Sequence, residues 1–178
     1  SLVHTAATVA GSTLLGLAVA VLMNREFAGR GIARGIVLMP YVAPLISLVF
    51  AWRYMFHPVY GFVNYWFVDI LPILAGPRDW VESPAFAMPM VILFDIWRYF
   101  PYAFLMILAR LQSIPKALYE AAEVDGANTR QKFLRITIPS MKNVFILVAI
   151  SLTTGTLQMF DLPYLMTGVR LSIGVAWL

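Results

Sequence analysis

Apolar runs of bilayer length alternate with polar breaks along this chain, and the pattern predicts four membrane-crossing helices. The first, Leu2 to Met23, supplies the roughly twenty apolar residues that a span needs, with His4 as its one ionisable group. It exceeds the roughly 7 to 15 apolar residues of a secretory signal, and Asn24-Arg25-Glu26 comes next in place of a small-residue cleavage site. The second runs from about Gly35 to Phe56; Pro40 and Pro44 each remove a backbone donor, so a kink is expected. From His57 to Pro84 the chain is punctuated by Pro58, Gly61, Pro72, Gly76, Pro77 and Pro84 and reads as a loop. Within it, Tyr60, Phe62, Tyr65, Trp66 and Phe67 predict a short helix at the membrane surface, as an interfacial belt or as a receiver for an outside partner. The third span covers Ala85 to about Leu108. The fourth covers about Asn143 to Phe160, where Asp161 ends it; Thr153, Thr154, Gly155 and Thr156 offer a small, polar surface for close helix packing. Arg170 to Leu178 read as the start of another span. The chain does not begin with Met and is expected to be a fragment, a single transmembrane domain over 1–178 with about four complete spans and a partial one.

Charge sets the orientation. Arg25, Arg30 and Arg34 crowd the break after span one; Arg110, Lys116, Arg130, Lys132, Arg135 and Lys142 lie between spans three and four. Nine of the thirteen Lys and Arg residues thus fall in two segments, which the positive-inside rule assigns to the cytoplasm. Arg53 sits ~27 Å along span two, beside Trp52, where it reads as an anchor reaching the outer headgroups.

Composition agrees: 61% of the 178 residues are hydrophobic and 12% charged, against roughly 25% charged in soluble domains. Mean hydropathy is +0.79. The fold class expected is all-α, a polytopic transmembrane bundle. The net charge of +4 is scattered through short loops and forms no stripe for nucleic acid. Without cysteine there is neither a disulfide framework nor a thiolate metal site, and His4 and His57 have no ligand-type neighbours in sequence, so no metal is expected. No G-x-x-x-x-G-K-[ST] phosphate loop occurs, so any ATP must be hydrolysed by another chain.

Span three carries unusual polar chemistry: Asp95, Trp97, Arg98, Tyr99 and Tyr102. Asp95 lies ~15 Å into the span, near the midplane, where a charge costs on the order of 2.5–3.5 kcal/mol on insertion scales. Two readings are compatible with this: an Asp95–Arg98 ion pair at i, i+3 that holds helices together, or the lining of a polar pathway. Aromatic faces and hydrogen-bonding heads at Asp95, Arg98, Tyr99 and Tyr102 suit a hydroxylated ring.

The internal segment between spans three and four reads as a helix–turn–helix. Pro115 suits a first turn with Ser113 in capping range, and Ala117 to Asp125 form a helix with a slim flank at Ala121 and Ala122. Gly126 suits a left-handed stop, Asn128 with Gln131 caps a second helix, and Pro139 is expected to end it and return the chain to the membrane. Glu120, Glu123 and Asp125 would be repelled by an anionic leaflet, so a groove on a protein is the better partner.

The run Glu120-Ala121-Ala122, three positions, Gly126, nine positions, Ile136, one position, Ile138-Pro139 resembles the EAA signature of ABC importer permeases, with Ile138 in place of Leu. Pro40-Tyr41-Val42-Ala43-Pro44, Phe56-His57-Pro58-Val59-Tyr60-Gly61, Asp95-Ile96-Trp97, Leu111-Gln112-Ser113-Ile114-Pro115 and Phe160-Asp161-Leu162-Pro163-Tyr164 extend the resemblance to the carbohydrate branch, over roughly residues 1 to 168. Family members continue after the Thr167-Gly168 position with more glycines and an external loop, which implies residues missing there.

The resemblance implies a permease subunit of a binding-protein-dependent importer in a bacterial or archaeal inner membrane, and no enzyme in this chain. It implies a cytoplasmic coupling helix at Glu120, Ala121, Ala122, Asp125, Gly126 and Pro139. The implied partners are a second homologous permease, two cytoplasmic ATPase subunits carrying ATP and Mg, an extracytoplasmic solute-binding protein and a sugar. It also adds Thr156 and Met159 to Asp95, Arg98, Tyr99 and Tyr102 as substrate-pathway candidates. The alternatives are another small solute, such as glycerol phosphate, an amino acid or a polyamine, and a self-contained carrier or channel in which Asp95 and Arg98 relay an ion.

Overall fold

The computed structural model describes residues 2–71, 73–159 and 161–167, and among them every regular element is helical. Two helices are long and apolar enough to cross a bilayer, Leu2–Met23 (α1) and Ala87–Ser113 (α5). The number rises to four if each of two broken helix pairs counts as one span. The incomplete span expected at Arg170 to Leu178 lies outside the described residues.

Span two is broken rather than kinked. Arg30–Val42 (α2) ends before Ala43, and Leu45–Met55 (α3) starts after Pro44, which stands at the N-cap with φ −58° and ψ 130°. Pro40 is tolerated inside α2, but a helix continuing through Pro44 would press its ring on the Pro40 carbonyl and offer that carbonyl no N–H. Pro44 also steers Ala43 away from helical geometry.

The described residues fall into two compact units. In the first, made of parts of 1–8, 42–95 and 155–178, α3 packs against Asp161–Thr167 (α10). Asp161 therefore opens a new helix, where the sequence suggests only the end of a span. Trp52 stacks on Phe56 at 5.1 Å and meets the edge of Phe94 at 5.2 Å. Arg53, read from sequence as a headgroup anchor, instead donates to the Leu165 carbonyl at 3.2 Å and to Glu82 at 3.3 Å.

The segment 57–84 is a folded cap built on one buried side chain. Phe62–Asn64 (α4) runs into a π-helical turn, Tyr65–Ile70, which is the short aromatic helix expected. Asn64 Nδ2 donates to the carbonyls of Arg78 (2.8 Å), Pro58 (3.2 Å) and His57 (3.4 Å). Its Oδ1 accepts from the Arg78 amide (3.1 Å) and from Trp80 Nε1 (2.8 Å). One amide thus gathers two stretches of backbone and the Trp80 side chain, and Gly61 is needed because a Cβ there would meet the backbone of His57 and Met55.

The second unit, from 9–41 and 96–154, holds the main apolar core: Ala20 of α1, Ala103, Phe104, Ile107 and Leu111 of α5, and Val148 of Lys142–Leu157 (α9). Small residues let α1 and α5 approach closely, since a Cβ on Gly16 would fall 2.7 Å from Ala103 Cβ and 2.8 Å from the Phe104 amide nitrogen. Arg34 Nη2 donates to the Met23 carbonyl at 2.9 Å, satisfying an acceptor at the C-terminus of α1.

Between α5 and α9 come Lys116–Val124 (α6), Thr129–Lys132 (α7), a π-helical turn at Phe133–Thr137, and Ile138–Ser140 (α8). Pro139 does not end the second helix as expected; the run continues to Ser140, breaks at Met141 and bends 57° into α9. The wider π turn just before Pro139 gives its ring room against the preceding carbonyls. Ser113 also departs from expectation: its hydroxyl donates to the Arg110 carbonyl at 2.9 Å and closes α5, leaving α6 without a side-chain cap.

Backbone and side-chain neighbours differ in how far they can yield, and this separates two glycines. Gly16→Ala drives a methyl into the α5 backbone and is expected to cost roughly 1–3 kcal/mol. Gly11→Ala meets only the tip of Ile96 and should cost less. Thermal unfolding of the detergent-purified protein checks the order; equal midpoints would contradict the close α1–α5 approach.

Candidate functional site

The first candidate site is the run from α6 to α8, and its local rules explain its shape. Gly126 adopts φ +77°, the left-handed conformation expected. The Ala127 amide bonds back to the Ala122 carbonyl at 2.8 Å and the Gly126 amide to the Glu123 carbonyl at 3.0 Å, the paired bonds of a Schellman stop. Two residues later Asn128 and Gln131 form the reciprocal capping box, at 2.9 and 2.8 Å, that opens α7.

Two side-chain links fix α6 to the turns beyond it: Tyr119 shares a hydrogen bond with Thr137 at 2.9 Å, and Lys132 pairs with Glu123. Arg110 Nε donates to the Ser140 carbonyl at 3.0 Å, tying the end of α5 to the end of α8. The outer surface of α6 stays open. Glu120, Ala121, Asp125, Gly126 and Pro139 are exposed and Ala122 is half-buried. Val124 is 89% exposed, so the acidic helix also presents an apolar edge. A Cβ on Gly126 would meet nothing within 4 Å. The arrangement suits a protein groove lined with basic and apolar groups.

The second set of candidates divides between the two units. In the first unit Asp95 is fully buried, and its Oδ2 lies 2.8 Å from Nε2 of His4, itself 4% exposed. Spacing alone points to Arg98 as the partner of Asp95; the contact found reaches 91 residues back to span one. An ionisable residue inside an apolar span is the signal that marks His4, and its own neighbours in sequence give no hint of a partner. Thr5 and Thr8, on the same helix, are buried as well. Thr156 is buried and Met159 half-buried in this unit.

In the second unit Arg98 turns to its neighbour, with Nη1 3.3 Å from the Tyr99 hydroxyl and Cζ 5.3 Å from the centre of that ring. Tyr102 lies 6.0 Å from Tyr41, an aromatic neighbour that the sequence does not mark. These three candidates are half-buried. Of the small, polar residues expected in close packing, Thr156 is buried, Thr153 half-buried, and Thr154 and Gly155 exposed, with open space beside Gly155.

Residues 12–177 match the family described as "Binding-protein-dependent transport system inner membrane component". The chain is similar to the inner membrane ABC transporter permease protein YcjO of Escherichia coli (strain K12), 51% identical over 164 residues, covering 92% of this chain and 56% of that protein. It is also similar to the trehalose/maltose transport system permease protein MalF of Thermococcus litoralis, 39% identical over 156 residues, covering 88% and 52%. Among solved structures it resembles a chain of a bacterial alginate ABC transporter in complex with an alginate pentasaccharide-bound periplasmic protein. There the TM-score is 0.73 at 21% identity, covering 97% of this chain and 65% of that one, a likeness of fold. The chain spans about half the length of the curated relatives it matches.

Breaking a buried polar pair costs more than replacing both members by apolar groups. His4→Leu removes one hydrogen-bond partner of Asp95 and is expected to destabilise by about 1–3 kcal/mol, whereas the double variant His4→Leu, Asp95→Leu should recover most of that loss. Unfolding midpoints of the purified variants test this; a double variant as unstable as the sum of the singles would show the pair to be unimportant.

Proposed function

The chain belongs to the family of binding-protein-dependent transport system inner membrane components, and on that premise we propose that it is the permease domain of an ATP-driven importer for a saccharide. Its α6 is the coupling helix, seated in a groove of a cytoplasmic ATPase subunit. A second homologous permease completes the pathway, two ATPase subunits supply the energy, and an external binding protein delivers the solute. The observation that carries the reading is the exposed, nine-residue α6, stopped by Gly126 and braced by Tyr119–Thr137 and Glu123–Lys132. An open surface on a braced support is what a transmitting element requires: a freely hinged helix would absorb the ATPase movement instead of passing it on.

The carbohydrate reading draws on relatives named for trehalose/maltose, trehalose and sulfoquinovosyl glycerol transport. Arg98, Tyr99 and Tyr102, with Thr156 and Met159, are the proposed solute contacts. Asp95 contributes by holding His4 and fixing span three against span one. In operation, closure of the ATPase pair on ATP would shift α6, and the arginine bond from α5 to Ser140 would carry that shift toward the spans. Only differential docking of α6 in the open and closed ATPase states can drive such a change.

Gly126→Val forces a β-branched residue into a left-handed conformation, at about 1–2 kcal/mol, and is expected to depress both uptake and binding-protein-stimulated ATPase activity. Gly126→Asn, which tolerates that conformation, should retain more of both. Proteoliposomes holding the full transporter give the comparison. Wild-type coupling in Gly126→Val would remove α6 from the mechanism.

A further inference from the structure

The cap over residues 57–84 contains two adjoining cavities that the coupling and pathway residues leave unused. The larger, about 440 Å³, is lined by Arg53, Tyr54, His57, Tyr60, Asp79 and Glu82 among others. The smaller, about 250 Å³, includes Tyr60, Tyr65 and Asp69, and both share Pro58 and Tyr60. Tyr60, with Pro58, therefore lines both. The larger falls within the roughly 300–1,000 Å³ typical of small-molecule sites, and the smaller extends it.

The chemistry of the walls is that of a site for hydroxylated rings. Tyr60 remains 58% exposed although His57 stacks on it at 3.6 Å and 9°, and Tyr54 lies 5.2 Å away and is 65% exposed. His57 is itself held, because its Nδ1 accepts the Val59 amide at 3.2 Å. An aromatic platform clamped in this way loses little entropy on binding. Around it stand hydrogen-bonding groups of both kinds. Arg53 is aligned by its bonds to the Leu165 carbonyl and Glu82, and Asp79 by accepting the amides of Val81 (3.2 Å) and Glu82 (2.8 Å) through one oxygen. Asp69, in the lining of the smaller cavity, is exposed.

Paired donors and acceptors beside an aromatic face match the alternating hydroxyls and apolar C–H faces of a pyranose. Three carboxylates, at Asp69, Asp79 and Glu82, against one guanidinium disfavour an anionic ligand. We propose that this cap carries a two-part binding site for a neutral saccharide, one ring in each of the cavities that Tyr60 lines, outside the candidate pathway residues. The site rests on the saccharide reading above and adds to it a station that the solute meets on the external face before the spans. Direct affinity for sugar distinguishes it from a surface that only receives a binding protein.

The test uses the full transporter in nanodiscs, with the binding protein omitted, and maltose and trehalose as probes followed by saturation-transfer NMR. Transfer to at least one probe is expected, with affinity falling roughly 2- to 10-fold in Tyr60→Ala, the loss of one aromatic contact. Asp69→Asn should also weaken it, while a uronic-acid disaccharide should give none. Uptake of either sugar by the complete system, measured in parallel, separates the two ideas. Uptake without Tyr60-dependent transfer overturns the cap site and leaves the saccharide reading standing. A system that takes up neither sugar, with a binding protein that holds no saccharide, overturns the saccharide reading and this site with it. If Tyr60→Ala abolishes binding-protein stimulation of the ATPase but leaves sugar transfer unchanged, the cavity is a protein-docking surface and the site is wrong.

Discussion

Hydrocarbon offers no hydrogen-bond partner, and this constraint shapes the molecule more than any single contact. Each place where the chain leaves regular helix must settle its backbone groups from within. The break at Pro44 comes where a continuing helix would have pressed a proline ring on the carbonyl four residues back. The same requirement acts on side chains: Asp95, deep in α5, has His4 at hydrogen-bond distance from a different span. An isolated acid in the sequence is, in the fold, one end of a cross-link.

The parts of the structure governed by near neighbours were legible. Span one has the bounds that its apolar run gives it, and the left-handed Gly126, the Asn128–Gln131 box and the helix ahead of them are dictated by residues within a turn or two. Breaks were harder to place from prolines alone, because a proline's effect depends on the carbonyl it meets. Pro40 sits quietly inside α2 while Pro44 ends it, and Pro139 is absorbed by a π turn. Contacts between distant residues left no periodic trace. Asn64 draws together His57, Pro58, Arg78 and Trp80, and turned what six prolines and glycines advertised as a loop into a folded cap. Asp161 looked like a terminator and proved to be the first residue of α10, since nothing in its own vicinity revealed the packing of that helix on α3.

Site residues divided in the same way. Those of the α6 run share one braced element, Ala122 half-buried and the others exposed, because the motif is itself a local folding instruction. The polar residues of span three stand out in sequence as costly, but their partners were not foreseeable from spacing: His4 for Asp95, Tyr41 beside Tyr102. The chain thus carries its family signature in a short polar stretch, while the neighbours of its intramembrane polar residues are set by long-range packing. Stiffness and exposure meet at α6, which is what the proposed transmitting role asks of a helix of nine residues.

The proposed coupling rests on α6 meeting an ATPase subunit. The 178 residues contain no cysteine, so a single one can be introduced on the open surface of α6 without background from these residues. Glu120→Cys in the assembled, membrane-embedded transporter, treated with a short bifunctional crosslinker, should join the permease to the ATPase subunit, with a yield that changes when ATP is bound. An active transporter in which Glu120→Cys reacts with the reagent but never joins the ATPase, with or without ATP, would contradict that contact.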